Sequence, residues 1–345
     1  MEASLGFGLS AVLLGGVLQG SVLLPMKFAR RWQWENCWIG FSTVAYFLSP
    51  WFLAVLLISH FPSMLWDIPP RVLVTTLLFG AGWGLGALSM GVGFRYLGMA
   101  ITYAIVLGLA SSIGTLVPLL VLTPHRTLTR QGYAVMIGVA IALVGTAVVS
   151  WAAWERDSKK KDSAAQSSAE GPGRNLAIGL ALCVGSGILS SCGNLGFAFG
   201  SQISQRALEL GSGPTGSASA IWSVILLPVF LCNFLYSIYL LRKNGTAPLF
   251  RERGTSHYWG LAILMGVLWM GGMAAYGSGA LALGKLGTSM GWILFMSSMV
   301  ITANIFGVLT GEYEGSSRRT MTIMGAGVLI LMLAIVAVGT AGISG

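Results

Sequence analysis

The residues able to carry acid–base or metal chemistry are few and poorly placed for it. Of 345 residues only eleven are acidic and three are histidine, His60, His125 and His257. No acidic residue lies between Asp67 and Glu155. That stretch holds three long apolar runs, so paired carboxylates for hydrolysis and oxygen-ligated metal sites lack material there. The cysteines, Cys37, Cys183, Cys192 and Cys232, show no CxxC spacing and fall in apolar surroundings, which gives neither a disulfide framework nor a zinc site. A membrane transferase would need a clustered acid, base or metal constellation near one helix end, and the charges here are scattered. No cofactor, no metal and no enzymatic activity are therefore expected.

What remains for recognition is uncharged. Gln19, Trp83, Ser89, Tyr103, Asn194, Trp269, Tyr276, Trp292, Ser297 and Asn304 all lie inside apolar runs. A lone helical serine ordinarily bonds a carbonyl one turn back. An amide has four hydrogen-bonding positions to satisfy, so Gln19, Asn194 and Asn304 are stronger candidates for lining a wet cavity. Tryptophan and tyrosine often mark membrane interfaces, but Trp83, Trp269 and Tyr276 sit well inside their runs. Amides, hydroxyls and aromatic faces together suit a small neutral sugar, whose hydroxyls need partners and whose C–H side needs an apolar cover. A proton carrier would have to be titratable: Glu35, beside a basic turn, and Glu312 are the candidates, and H+ is the expected coupling ion.

These groups must be positioned by membrane helices. Hydrophobic residues make up 55% of the chain and charged ones 9%, against about 25% charge in a soluble domain. Apolar runs cover about residues 4–26, 36–59, 71–93, 98–122, 131–153, 175–199, 215–241, 258–282, 287–310 and 320–342, each near or above the roughly 18-residue threshold for a span. The expected fold is an all-α polytopic membrane protein of ten transmembrane helices, and its partner is the lipid bilayer. The formal charge of +9 does not point to nucleic acid, because the 20 Lys and Arg residues fall in short clusters between the runs. Fifteen of those 20 lie after the odd-numbered runs; the other side has only Arg71, Arg126, Arg130, Arg206 and Lys285. The positive-inside bias places both termini outside a plasma (bacterial inner) membrane.

The polar stretch 154–174 separates five runs from five, giving an N-terminal unit (1–153), a cytoplasmic linker and a C-terminal unit (175–345). The halves echo one another: LLGGVLQGS (13–21) with VGSGILSSC (184–192), GAGW ending at Trp83 with GVLW ending at Trp269, and short turns at 94–105 and 283–294. An odd helix number per half makes such repeats inverted across the membrane. Gly82, Gly84 and Ala87 mimic a dinucleotide fingerprint, but they lie within an apolar run with no acidic residue about 20 positions on. The overlapping pairs Gly80/Gly84 and Gly82/Gly86 are expected to form a close helix-packing face instead.

The stretches PMKFARRWQWEN (25–36), LLFGAGWGLGALSMGVGFRYLGM (77–99) and GILSSCGNLGFAF (187–199) resemble the L-rhamnose-proton symporter family, a branch of the drug/metabolite transporter superfamily. The resemblance runs over nearly the whole chain. It implies ten helices in two inverted five-helix repeats, outside termini and proton-driven uptake of a methylpentose by alternating access. The residues alone leave open a facilitator or exporter of another small metabolite.

Overall fold

The computed structural model describes residues 2–163 and 172–343; their regular structure is helical, with no strand among them. The principal helices are α1 (Glu2–Gly20), α2 (Trp34–Ser42), α3 (Ser49–Leu57), α4 (Phe61–Met64), α5 (Pro70–Leu122) and α6 (Arg130–Ser163). They continue as α7 (Pro172–Phe199), α8 (Ser201–Glu209), α9 (Pro214–Asn244), α10 (His257–Ala282), α11 (Gly287–Leu309) and α12 (Arg318–Ile343). Nine stretches among the described residues are long and apolar enough to cross a membrane. Leu78, Leu235, Leu329 and Leu333 are among many large apolar side chains left exposed, as a lipid-facing surface requires. The protein is a multi-pass membrane protein.

The longest helix, α5, counts 53 residues, but it is not one span. Gly98 has φ 74° and ψ 168°, a conformation open in practice to glycine alone. The chain turns back there. Phe94 and Tyr103 have ring centroids 5.0 Å apart, whereas nine residues along a straight helix would separate them by about 13.5 Å. Two limbs result, 70–97 and 99–122, which brings the number of spans among the described residues to ten. The second span is also irregular: α2 passes through a π-helical turn, Thr43–Leu48, into α3. Pro50 has no N–H to return to the preceding turn, which favours such a widening.

Helix α6 extends to Ser163, so residues 154–163 of the expected linker continue that helix, while 164–171 lie outside the described residues.

The bundle is held by close glycine contacts. Helix α1 packs on α10 and α11, the first limb of α5 packs on α7 and α9, the second limb meets α6, α7 and α11, and α6 pairs with α12. A Cβ on Gly15 would lie 2.7 Å from the Gly272 carbonyl oxygen, and one on Gly16 would lie 2.6 Å from that of Phe295. The first limb of α5 uses its glycines on two faces. Gly80 and Gly84 meet Ile225, Val229 and Cys232 of α9, whereas Gly82 and Gly86 meet Leu189, Ser190 and Cys192 of α7. One sequence motif thus wedges a helix between two others.

Candidate functional site

A cavity of 440 Å³ lies at the end of the bundle where α1, α6 and α11 finish, within the usual range for a small-molecule site. Its uncharged wall is aromatic and amide-lined. Gln19 comes from the last turn of α1, Trp38 and Phe41 from α2, Tyr46 from the π-helical turn, Tyr103 from the second limb of α5, Trp269 from α10 and Asn304 from α11. The Tyr46 and Trp269 rings meet edge to face at 4.7 Å, and Trp38 is fixed by donating its Nε1–H to Asn233 at 2.9 Å. The Gln19 Oε1 is buried yet accepts no hydrogen bond. An unmet acceptor beside aromatic faces is the arrangement a polyhydroxylated ligand would complete.

The mouth is charged. Glu312, in the turn after α11, accepts from Lys27 at 2.5 Å and from Arg156, near the end of the α6 span, at 3.2 Å. Lys27 also donates to Thr310. Arg156 is further held by Asp157 at 2.8 Å and lies 4.8 Å from the centre of the Tyr313 ring. Burial and the nearby Glu312 and Asp157 carboxylates push the Tyr313 phenol above its ordinary range, against the opposing pull of Arg156. The phenol therefore stays protonated and donates to Asn304 Oδ1 at 3.4 Å. Glu312 is the one carboxylate in the described lining, and it joins three elements distant in sequence.

Of the residues singled out from sequence, the cavity gathers Gln19, Tyr103, Trp269, Asn304 and Glu312. The others are placed elsewhere. Trp83 packs on Gly193 and stands between Trp269, at 5.8 Å, and Trp222, at 6.4 Å. Ser89 donates to its own helix at the Leu85 carbonyl. Fully buried Asn194 donates to the carbonyls of Gly114, at 2.7 Å, and Thr288, at 3.2 Å, and accepts from the Tyr276 hydroxyl. Trp292 Nε1 donates to the Ala110 carbonyl at 3.2 Å. Ser297 is buried without a partner.

Glu35 also stands apart from the cavity. It is buried and accepts from Asn244, at 2.9 Å, and Thr246, at 2.8 Å. Beside it Asn36 donates to the Thr246 carbonyl, and the Trp32 ring meets Phe250, Tyr258 and Trp259. The basic turn is thereby pinned to the α9–α10 connection.

Tyr46, Lys27 and Arg156 were not among the sequence-based site residues. Pro50, four residues after Tyr46, was the available signal for a widened turn; nothing local showed that Lys27 and Arg156 would converge on Glu312. Among the described residues no cluster of His, Cys, Asp and Glu could hold a metal ion.

A family model described as L-rhamnose-proton symport protein (RhaT) matches residues 1–344. A relative described as L-rhamnose-proton symporter, from Escherichia coli O1:K1 / APEC, is 26% identical over 350 residues, covering 99% of this chain and 100% of its own. Another of the same description, from Escherichia coli strain SMS-3-5, is 26% identical over 346 residues, covering 98% of each.

Proposed function

The chain belongs to the L-rhamnose-proton symport family, a family of transporters rather than enzymes, and on that premise we propose that it imports a small neutral sugar, a rhamnose-like methylpentose, by proton symport. The observation that carries this reading is the cavity itself: a neutral, aromatic and amide-lined chamber with one carboxylate at its mouth. A sugar there gives a hydroxyl to the unmet Gln19 Oε1, finds a second amide in Asn304, and lays its C–H side against Trp269 and Tyr46.

By the positive-inside bias, the end carrying Lys27 and Arg156 faces the cytoplasm and both termini lie outside the plasma (bacterial inner) membrane. The cavity then opens inward. Two inverted five-helix repeats, as in the drug/metabolite transporter superfamily, would alternate its access between the two faces.

Glu312 is the proton carrier in this reading. As a carboxylate it ties Lys27 to Arg156; as a neutral acid it gives up both ion pairs. The paired arrangement corresponds to the inward-facing state after the proton has left; the empty carrier closes its mouth with Glu312 still ionised, and the next proton arrives with sugar from the outer face, so that each cycle carries one proton inward. Glu35 lacks this geometry, because its partners all belong to one pinned connection.

The test is flux in proteoliposomes. With the outside made acidic, L-rhamnose should accumulate above equilibrium and acidify the lumen. Sugar equilibration without proton movement would reject symport and leave the facilitator reading.

A further inference from the structure

The cavity stops near Trp269 and Gln19, but the helix faces that line it do not. On the second limb of α5, Tyr103 and Leu107 line the cavity, and about two turns deeper Thr115 directly follows Gly114, whose carbonyl oxygen accepts from Asn194. On α11 the face of Asn304 and Val300 continues within one turn of Val300 to Ser297, and on α10 that of Trp269 continues about two turns to Tyr276. All of these run away from the charged mouth. Thr115 is 0% exposed and Ser297 2% exposed, yet neither hydroxyl has a hydrogen-bond partner.

Among the described residues four buried hydroxyls lack a partner, those of Ser112, Thr115, Thr127 and Ser297, and of these only Thr115 and Ser297 belong to residues buried as a whole. Thr76, Thr123, Ser219 and Ser278 each bond the carbonyl four residues back, the ordinary way a helical hydroxyl avoids desolvation. An unpartnered buried hydroxyl is costly where it sits and is tolerated when another state uses it. The aromatic lining also extends past the cavity: Trp269 is followed by Trp83 at 5.8 Å, Trp222 at a further 6.4 Å and Tyr276 at 6.2 Å. Asn194 closes this region, because its one amide binds the second limb of α5, α10 and the first turn of α11 together.

We propose that Thr115, Ser297 and Tyr276, with Asn194 as their latch, form a second sugar subsite on the far half of the route, sealed in this state and opened when the bundle faces the other side. The inference rests on the reading of the chain as a sugar carrier. When the Asn194 bonds to Gly114 and Thr288 break, the amide and the two orphaned hydroxyls become partners for the incoming sugar, and the Trp222 and Tyr276 rings offer it their faces.

The experiment compares wild type, Thr115→Val, Thr115→Ser and Ser297→Ala in reconstituted vesicles, with melting temperature measured in parallel. Thr115→Val and Ser297→Ala replace an unpartnered hydroxyl by an apolar group, so each should melt at or above the wild-type temperature while kcat/KM for uptake of L-rhamnose from the far side falls about five-fold. Thr115→Ser, which keeps the hydroxyl, should transport as wild type. Wild-type kcat/KM in both apolar variants overturns the subsite, and so does a Thr115→Ser as impaired as Thr115→Val, whatever its melting temperature. Failure of the wild type itself to carry the sugar would instead overturn the carrier reading.

Discussion

Changing Glu312 to Gln removes one negative charge and little else, so its consequences for stability and for coupling can be separated. The ion pairs it makes are only partly shielded: side-chain exposure is 34% for Lys27, 43% for Glu312 and 11% for Arg156. Solvent-screened pairs contribute about 0.2–1 kcal/mol each, so losing two costs about 1–2 kcal/mol at most. Arg156, the most buried of the three, is not left alone, since Asp157 and the Tyr313 ring remain beside it. Lys27 keeps Thr310. The Glu312→Gln protein should therefore fold and retain the cavity.

Transport should change qualitatively. Each pH unit of gradient is worth about 1.4 kcal/mol, a factor of ten, so two units can drive about 100-fold accumulation of a sugar carried with one proton. Wild type in proteoliposomes should approach that limit, whereas Glu312→Gln should equilibrate sugar to a ratio near one and leave the lumen pH unchanged. Exchange of labelled for unlabelled sugar, which needs no net proton movement, should persist. Gradient-driven accumulation by Glu312→Gln equal to wild type would refute the assignment of the proton to this carboxylate.

Glu35→Gln is the matching control: it disturbs the bonds to Asn244 and Thr246 and should cost about 1–2 kcal/mol of stability while leaving proton-driven accumulation intact, checked in the same vesicles. Trp269→Leu removes the ring that packs on Tyr46 in the uncharged wall of the cavity and should raise the KM for uptake about five- to ten-fold. Gly80→Ala would set a Cβ 2.1 Å from the Ile225 carbonyl oxygen, a backbone clash expected to cost about 1–3 kcal/mol or more and to show as a lower melting temperature. Gly91→Ala on the same limb meets nothing within 4 Å and should be neutral or stabilise by about 0.5–1 kcal/mol; equal effects at the two positions would contradict the packing described.

The number of spans and the membrane class were legible in the sequence because both are set locally. An apolar run long enough to cross hydrocarbon must satisfy its own backbone, and a helix does so with neighbours in sequence alone. The reversal at Gly98 was legible in the same way, as a short gap between two runs. The glycine pairs of the first α5 limb announced close approach by their spacing, since only small side chains allow it.

Which polar groups face one another was another matter. Asn194 and Asn304 look alike in sequence, each an amide in an apolar run. The fold puts one at the mouth-side cavity and ties the other into a sealed hydrogen-bond cluster, because α7 and α11 meet different neighbours there. Glu35 and Glu312 both lie near helix ends. Glu35 is held by residues of a single connection, while Glu312 meets cations from the α1 exit and from α6, 285 and 156 residues distant. Hydrophobic periodicity carries no information about such long-range partners. The sequence alone thus determined what kind of solvent surrounds this protein and how often the chain crosses it, whereas the rotation and crossing of each packed helix, a property of its neighbours, decided which amide stays unsatisfied and which carboxylate meets two cations.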